Sequence, residues 1–172
     1  MACSNITAGV LNGCSSNQGG LESIFIANGK VDSFAETAGL VTAITVSGVA
    51  LAPADFFEFE VPRQTSSISE TATGDVSQGT VTYAQTAIII LNQLQASTRD
   101  QLKLMFEATN MVVVAKDNNG KYWSIGLSRG AYGQTATSTS GVAYQDRSGY
   151  EITIEGIEPS PMFQVTGSIV EA

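Results

Sequence analysis

The run Phe56-Phe57-Glu58-Phe59-Glu60-Val61 opens the stretch that decides the fold. It continues through Thr65-Ser66-Ser67-Ile68-Ser69-Glu70-Thr71 and breaks at Thr73-Gly74-Asp75. It then resumes as Thr80-Val81-Thr82-Tyr83-Ala84-Gln85 and closes on Ile88-Ile89-Ile90-Leu91. Apolar and polar residues alternate along both halves, the period of two that marks β-strands. Gly74, Asp75 and Gly79 supply turn chemistry between them. The pattern predicts one long hairpin over residues 56–94, with arms of about 15 residues against about 5–6 for an ordinary strand. At about 3.3 Å per residue such an arm reaches on the order of 50 Å. A single domain of this length is only roughly 30 Å across. The hairpin is therefore expected to project from its own core and to pair with other copies of the chain.

The flanking sequence is β-rich as well. Leu21 to Ala27 reads as a strand ending at the Asn28-Gly29 turn. Leu40 to Val49 is a weaker strand closed by Pro53. Met111 to Lys116 reads as a buried strand, and Asp117-Asn118-Asn119-Gly120 as the turn that returns it through Lys121 to Leu127. The turn's oxygens lack the distal bidentate Glu of a calcium loop. Ser148 to Gly156 alternates cleanly, with Tyr150, Ile152 and Ile154 on one face, and Phe163 to Val170 reads as a last strand. Residues 128–148 read as a loop or a loose edge strand, and residues 1–20 as an irregular arm broken by glycines. Residues 97–109 read as the one helix. Ser97 or Thr98 would cap it, Thr98 and Gln101 fit a capping box, and Leu102, Met105 and Phe106 share a face. The fold class expected is mainly β: an antiparallel barrel or sandwich, one domain over residues 1–172, with one flanking helix and a projecting hairpin.

Composition narrows function. The chain has no histidine, which removes the commonest general base and metal ligand and excludes Ser-His-Asp and Cys-His nucleophile systems within one chain. No enzyme activity, cofactor or metal is expected. Net charge is −8, and the eight Lys and Arg residues are scattered. Tight binding of nucleic acid needs clustered cations; this balance instead lets a polyanion pass without sticking. Charged residues make up 14% of the chain, below the usual figure of about 25%, as expected if partners cover much of the surface. The N-terminus shows no secretory pattern, and the apolar window Ala38 to Ala54 is too short and polar to span a bilayer, so no membrane partner is expected. Cys3 and Cys14 could close a disulfide loop under oxidising conditions and would stay reduced in cytosol.

The candidate functional residues follow from the hairpin. Phe57 and Phe59 alternate with Glu58 and Glu60, giving one apolar and one acidic face. If the arms of several copies join in a closed sheet, the acidic face lines a lumen. Phe57, Glu58, Phe59, Glu60, Ser67, Glu70, Asp75, Thr80, Thr82 and Tyr83 are the lumen or inter-subunit candidates. The same acids, like Glu151 and Glu155, loosely fit a glycosidase pair. A solvated strand face accounts for them, and Trp123 is the chain's single Trp. Joining strand edges in a ring also removes the aggregation hazard of a long free edge.

Several further segments carry a resemblance. Met1-Ala2-Cys3 with Cys14, then Gly19-Gly20-Leu21-Glu22-Ser23-Ile24-Phe25-Ile26-Ala27, form the first. Leu102-Lys103-Leu104, Val113-Val114 with Asp117 to Tyr122, and Ser148-Gly149-Tyr150 leading to Thr153 through Pro159 form the others. Together these resemble virion structural proteins of crAss-like and related Bacteroidetes phages, of tail-tube or tail-ring type. The resemblance implies a β-barrel with a helix and a long hairpin, assembled as stacked, most plainly hexameric, rings around a channel for DNA ejection. The implied partners are the chain itself and other tail proteins, with DNA only passing through. The implied place is the virion tail, after synthesis in the host cytoplasm. It carries over no catalytic residue. Two readings stay open beside it: the tube of a phage-like contractile or secretion system, and a capsid decoration or receptor- or glycan-binding module using aromatics such as Tyr83, Tyr122, Trp123, Tyr132, Tyr144 and Tyr150.

Overall fold

A computed structural model describes Gly9, residues 17–75 and residues 77–171. Among the described residues there are twelve strands and one α-helix. The strands form two sheets, so the chain is mainly β and the sandwich alternative is the one realised. Neither sheet closes on itself.

The larger sheet is built on two strands that are buried on both faces. β1 (Leu21–Asn28) and β8 (Met111–Asp117) pair antiparallel. Their sequences, Ile24-Phe25-Ile26-Ala27 and Met111-Val112-Val113-Val114-Ala115, are apolar without alternation, as strands covered on both sides must be. One face meets the second sheet and the helix, where Ile24, Ile26, Val113 and Ala115 pack with Ile89, Ile152 and Ile154. On the other face Phe25, Val112 and Val114 pack with Val31, Val41, Ile44 and Val165. Those last residues come from β2 (Val31–Thr37), β3 (Leu40–Val46) and β12 (Gln164–Val165). The sheet order is β2-β3-β12-β9-β8-β1-β5, with β9 at Tyr122–Ile125, β5 at Phe57–Glu60, and the two-residue β4 (Val49–Ala50) on β3. The β3–β12 pair is parallel.

The smaller sheet has four strands in the order β10-β11-β7-β6. They are β6 (Ser67–Asp75), β7 (Thr80–Asn92), β10 (Tyr132–Thr139) and β11 (Gly149–Glu158), and every neighbouring pair is antiparallel. Gln85, Ala87, Ile89 and Leu91 of β7, with Tyr150, Ile152 and Ile154 of β11, turn inward onto the core.

The hairpin begins later than the alternation predicts and is shorter. Phe57-Glu58-Phe59-Glu60 belongs to β5 at the edge of the larger sheet, paired with β1 (Ile24 opposite Phe59, Ile26 opposite Phe57). Pro62 is the cause of the break. It has no N–H to extend a ladder. Thr65 Oγ1 donates to its carbonyl at 2.6 Å, and Gln64 takes a φ of 61°. This turn carries the chain from one sheet to the other. β6 then pairs with β7 from Ser67↔Ile88 to Asp75↔Thr80. β11 ends at Glu158 opposite Tyr83, so three pairs run past the sheet, a projection of about 10 Å rather than 50 Å.

Three other elements also differ. The helix α1 is Ala96–Glu107, with Gln95 at its N-cap and no side-chain capping bond, so the predicted capping box does not form. Leu102 and Met105 are buried as expected, whereas Phe106 leans over the edge of the smaller sheet, where its ring lies against Gly133. Residues 31–37, which carry no clean alternation, form β2. The last predicted strand shrinks to β12, because at Gly167 the chain turns into a 3-10 helix against the Tyr122 ring.

The turn at Asp117 forms as the sequence predicts and does more than reverse the chain. Asp117 Oδ1 accepts from the N–H of Asn119 (2.9 Å) and Lys121 (2.8 Å), and Oδ2 from Trp123 Nε1 (3.3 Å). Burial raises this carboxyl's pKa, but the donors together outweigh it and leave it below its ordinary value. Asn118 donates to the Gly19 carbonyl (2.7 Å), and Asn119 brackets Gln18 through two bonds of 2.9 Å.

At the other end of the chain, Lys116 Nζ contacts Glu171 (3.0 Å) and Glu22 (3.4 Å) and lies 5.7 Å from the Tyr122 ring centre. Tyr122 Oη donates to Glu171 at 2.7 Å. The Tyr122 hydroxyl, then Lys116, hold the Glu171 carboxyl below its ordinary 4.5. Glu171's hydrogen bond raises Lys116, and burial first, then Glu171, raises Tyr122. A lowered carboxylate contributes stability that is present above pH 4.5 and lost as pH falls through its folded value. The raised Lys and Tyr contribute stability that is present below about pH 10 and lost above it. Glu171→Gln is therefore expected to lower the urea midpoint at neutral pH and to leave it unchanged well below pH 4.5. Equal losses at both pH values would refute this linkage.

Candidate functional site

Among the described residues the four-stranded sheet ends in two unpaired strand edges, as the larger sheet does at β2 and β5. β6 pairs only with β7, and β10 only with β11, among the described residues. Ile90 N donates sideways to Ser66 Oγ (3.0 Å), beyond the start of β6, and Gln93 N donates the other way to the Ser148 carbonyl (2.8 Å). Alternation along an antiparallel ladder then follows. Ser67, Ser69, Thr71 and Thr73 aim their N–H groups at β7, while Ile68, Glu70, Ala72 and Gly74 aim theirs at the free edge. By the same logic Ala136 and Ser138 face outward from β10.

Each predicted residue has a definite place. Phe57, Glu58, Phe59 and Glu60 lie on β5, away from the hairpin; Phe57 and Phe59 share the face of Ile24 and Ile26, Phe59 half-buried and Phe57 exposed, and Glu58 and Glu60 fall on the opposite face of the larger sheet. Glu70 turns toward its own body. It accepts from Gln85 Nε2 (3.2 Å) and from Met162 N (2.5 Å), so its carboxylate is a tether between the hairpin and the C-terminal segment. Asp75 sits at the hairpin tip. Hydrogen bonds from the Ser77 hydroxyl (2.6 Å) and the Ser77 N–H (2.9 Å) lower its pKa. Ser67, Thr80 and Thr82 are exposed on the hairpin, and Tyr83 is half-buried. Cys3 and Cys14 lie outside the described residues.

The outward face of the smaller sheet is uncharged over most of its area. Ser69 and Thr71 of β6, Thr86 of β7, Thr153 of β11, and Thr135 and Thr137 of β10 lie across it. Its acids are Glu151, paired with Arg147 at 3.2 Å, and Glu155, which accepts from Tyr132 Oη (3.1 Å) and Gln134 Nε2 (2.6 Å). Burial, then Glu155, raises the Tyr132 pKa. The acids on the outward face of this sheet are thus Glu151 and Glu155, whereas Glu58 and Glu60 belong to β5 of the larger sheet.

Two buried polar residues missed in the sequence hold the sheet in place. Gln85, 2% exposed, donates to Glu70 and to the Ser160 carbonyl and accepts from Gly126 N (3.2 Å). Glu158, also 2% exposed, accepts from the N–H groups of Ser128 (3.1 Å) and Arg129 (2.8 Å). Both lie on strands at alternating positions where an apolar residue would be read as core, and only their polarity at a core position signals a bonding partner. Among the described residues no group of three or more Cys, Asp and Glu converges on a metal site, and no helix is long and apolar enough to cross a membrane.

The fold defines a class, a two-sheet β-sandwich with one helix and a four-stranded sheet open at both sides. No family model, curated protein or solved structure matches the chain.

Proposed function

We propose that this chain is a self-assembling virion structural protein, the ring subunit of a phage tail tube. The observation that supports the reading is the antiparallel four-stranded sheet with β6 and β10 free at its sides. With four strands in strict alternation, β6 and β10 run in opposite directions. Copies related by simple rotation therefore bring β6 of one beside β10 of the next as a further antiparallel pair. The contact is heterologous and closes into a ring. Six copies would supply about 24 strands, more than the roughly 16 at which a barrel keeps an open channel. The Thr- and Ser-rich outer face, with Glu151 and Glu155, then lines that channel. A net charge of −8 keeps such a wall from trapping DNA.

Electron microscopy of the purified protein is expected to show rings or tubes with a central hole. Amide exchange should slow at Ala72 and Ala136 as the protein assembles. A protein that stays monomeric at high concentration refutes the proposal.

A further inference from the structure

The loop between β10 and β11, residues 140–148, holds two apolar side chains in water. Val142 is 102% exposed and Tyr144 is 110% exposed, the most exposed large apolar residues described. The loop itself is tightly tied. Asp146 Oδ2 accepts from the N–H of Val142 and of Ala143, both at 2.8 Å, and Asp146 N donates to the Ala143 carbonyl at 3.0 Å. These two donors lower the Asp146 pKa, as expected for a carboxylate doing structural bonding. Gly141 has a φ of 70°, and a Cβ there would come within 2.5 Å of Asp146 Cβ. An ordered loop that presents Val and Tyr outward has the form of a binding knob, since tyrosine combines large contact area with a polar tip.

Where the sandwich gapes between β5, the end of β7 and the first turns of α1 there is a cleft of about 590 Å³. Phe59, Val61 and Leu91, all packed on the core, give it an apolar floor. Glu58, Glu60 and Gln93 also border it. Through Phe59 and Gln101 it adjoins an apolar groove lined by Phe57, 59% exposed, and Leu104, 58% exposed.

Strand register relates knob to cleft. β10 ends at Thr139 opposite Gly149, which pairs with Asn92. Asn92 lines the cleft. The knob therefore leaves the sheet at the same end as the cleft. It leaves from the β10 side, while the cleft lies at the end of β7 beside β5, two strand spacings or about 10 Å from β10. Were β6 of one copy to meet β10 of the next, the second copy's knob would stand two strand spacings from the first copy's cleft, on its β6 side.

We infer that the β10–β11 loop seats Val142 and Tyr144 in the cleft between β5, β7 and α1 of the adjacent copy, locking the ring after the strand edges have met. The inference rests on the ring reading and adds a side-chain lock to it.

The test uses the full chain. Val142→Ser combined with Tyr144→Ser is expected to raise the concentration at half-assembly, read by sedimentation, about tenfold or more, with the monomer's melting temperature unchanged. In a chain carrying Cys3→Ser and Cys14→Ser, Tyr144→Cys with Gln101→Cys should cross-link on oxidation into a ladder of multimers. If wild type never assembles, the ring reading itself fails. If wild type forms rings, the double Ser variant forms them at the same concentration and the cysteine pair gives no intermolecular ladder, the lock alone is overturned. Cross-linking confined within one monomer overturns it equally.

Discussion

Gly126→Ala is expected to lower the melting temperature by roughly 10 °C. Two costs add. Gly126 has a φ of +72°, a left-handed conformation that costs an L-residue about 1–2 kcal/mol. A Cβ there would also lie 2.2 Å from Ala131 N and 2.6 Å from the Gly130 carbonyl carbon. Neither atom can yield. Gly130 N donates to the Gly126 carbonyl at 3.1 Å, and Ala131 exchanges hydrogen bonds of 2.9 and 2.8 Å with Met111, the buried first residue of β8. Overpacking against such a site costs about 1–3 kcal/mol more. At about 2–4 °C per kcal/mol for a domain of this size, the sum gives the stated shift. The site also links the two sheets. Gly126 N donates to Gln85 of β7, and a Cβ on Gly156 of β11 would sit 3.3 Å from Gly126 Cα. Gly120→Ala isolates the backbone share, since Gly120 has a φ of +73° with nothing within 4 Å of the added carbon; it should cost about 1 kcal/mol. If the two variants melt together, crowding at the sheet-to-sheet joint contributes nothing and the packing argument fails.

That joint also shows why part of the fold was legible in the sequence and part was not. Periodicity reports how a strand is covered, strand by strand. It therefore found β1, β8, β11 and the hairpin turn at Asp117, where burial and alternation agree. It reports nothing about which sheet a strand joins. Phe57 to Glu60 alternates as well as Ser67 to Thr71 does, yet Pro62 and the left-handed Gln64 send the two into different sheets. Pro62 was visible in the sequence and was the available signal. β10 was harder to see. Its residues are exposed along almost the whole strand, so Thr135 to Thr139 carries no apolar stripe to betray it. An uncharged Thr/Ser strand at an edge is also what a subunit contact requires before the partner arrives. The acids of the hairpin illustrate the same limit. Composition marks Glu70 as a surface charge, and only the fold shows that Gln85 and Met162 N hold it against the body.

Ala72→Pro is expected to abolish assembly while leaving the monomer folded. Ala72 lies on β6, exposed, opposite Tyr83. The ladder alternation turns its N–H away from β7 and toward the free edge. Proline at such an edge position removes a donor that the monomer does not use. In the proposed ring that donor would bond β10 of the next copy, and the pyrrolidine ring would also stand in the partner strand's path. Monomer stability should therefore change by less than about 1 kcal/mol, the ordinary range for surface substitutions, while sedimentation shows rings replaced by monomers. Thr71→Pro is the contrasting variant. Its N–H points into the β6–β7 ladder, so proline there should break the hairpin itself and cost roughly 3 kcal/mol. Ala136→Pro should repeat the Ala72→Pro result from the β10 side. An equimolar mixture of Ala72→Pro and Ala136→Pro should then form dimers that stop, since each carries one intact edge. Rings formed by Ala72→Pro at the wild-type concentration would mean that the β6 edge does not join copies, and the tube would have to be built from another surface.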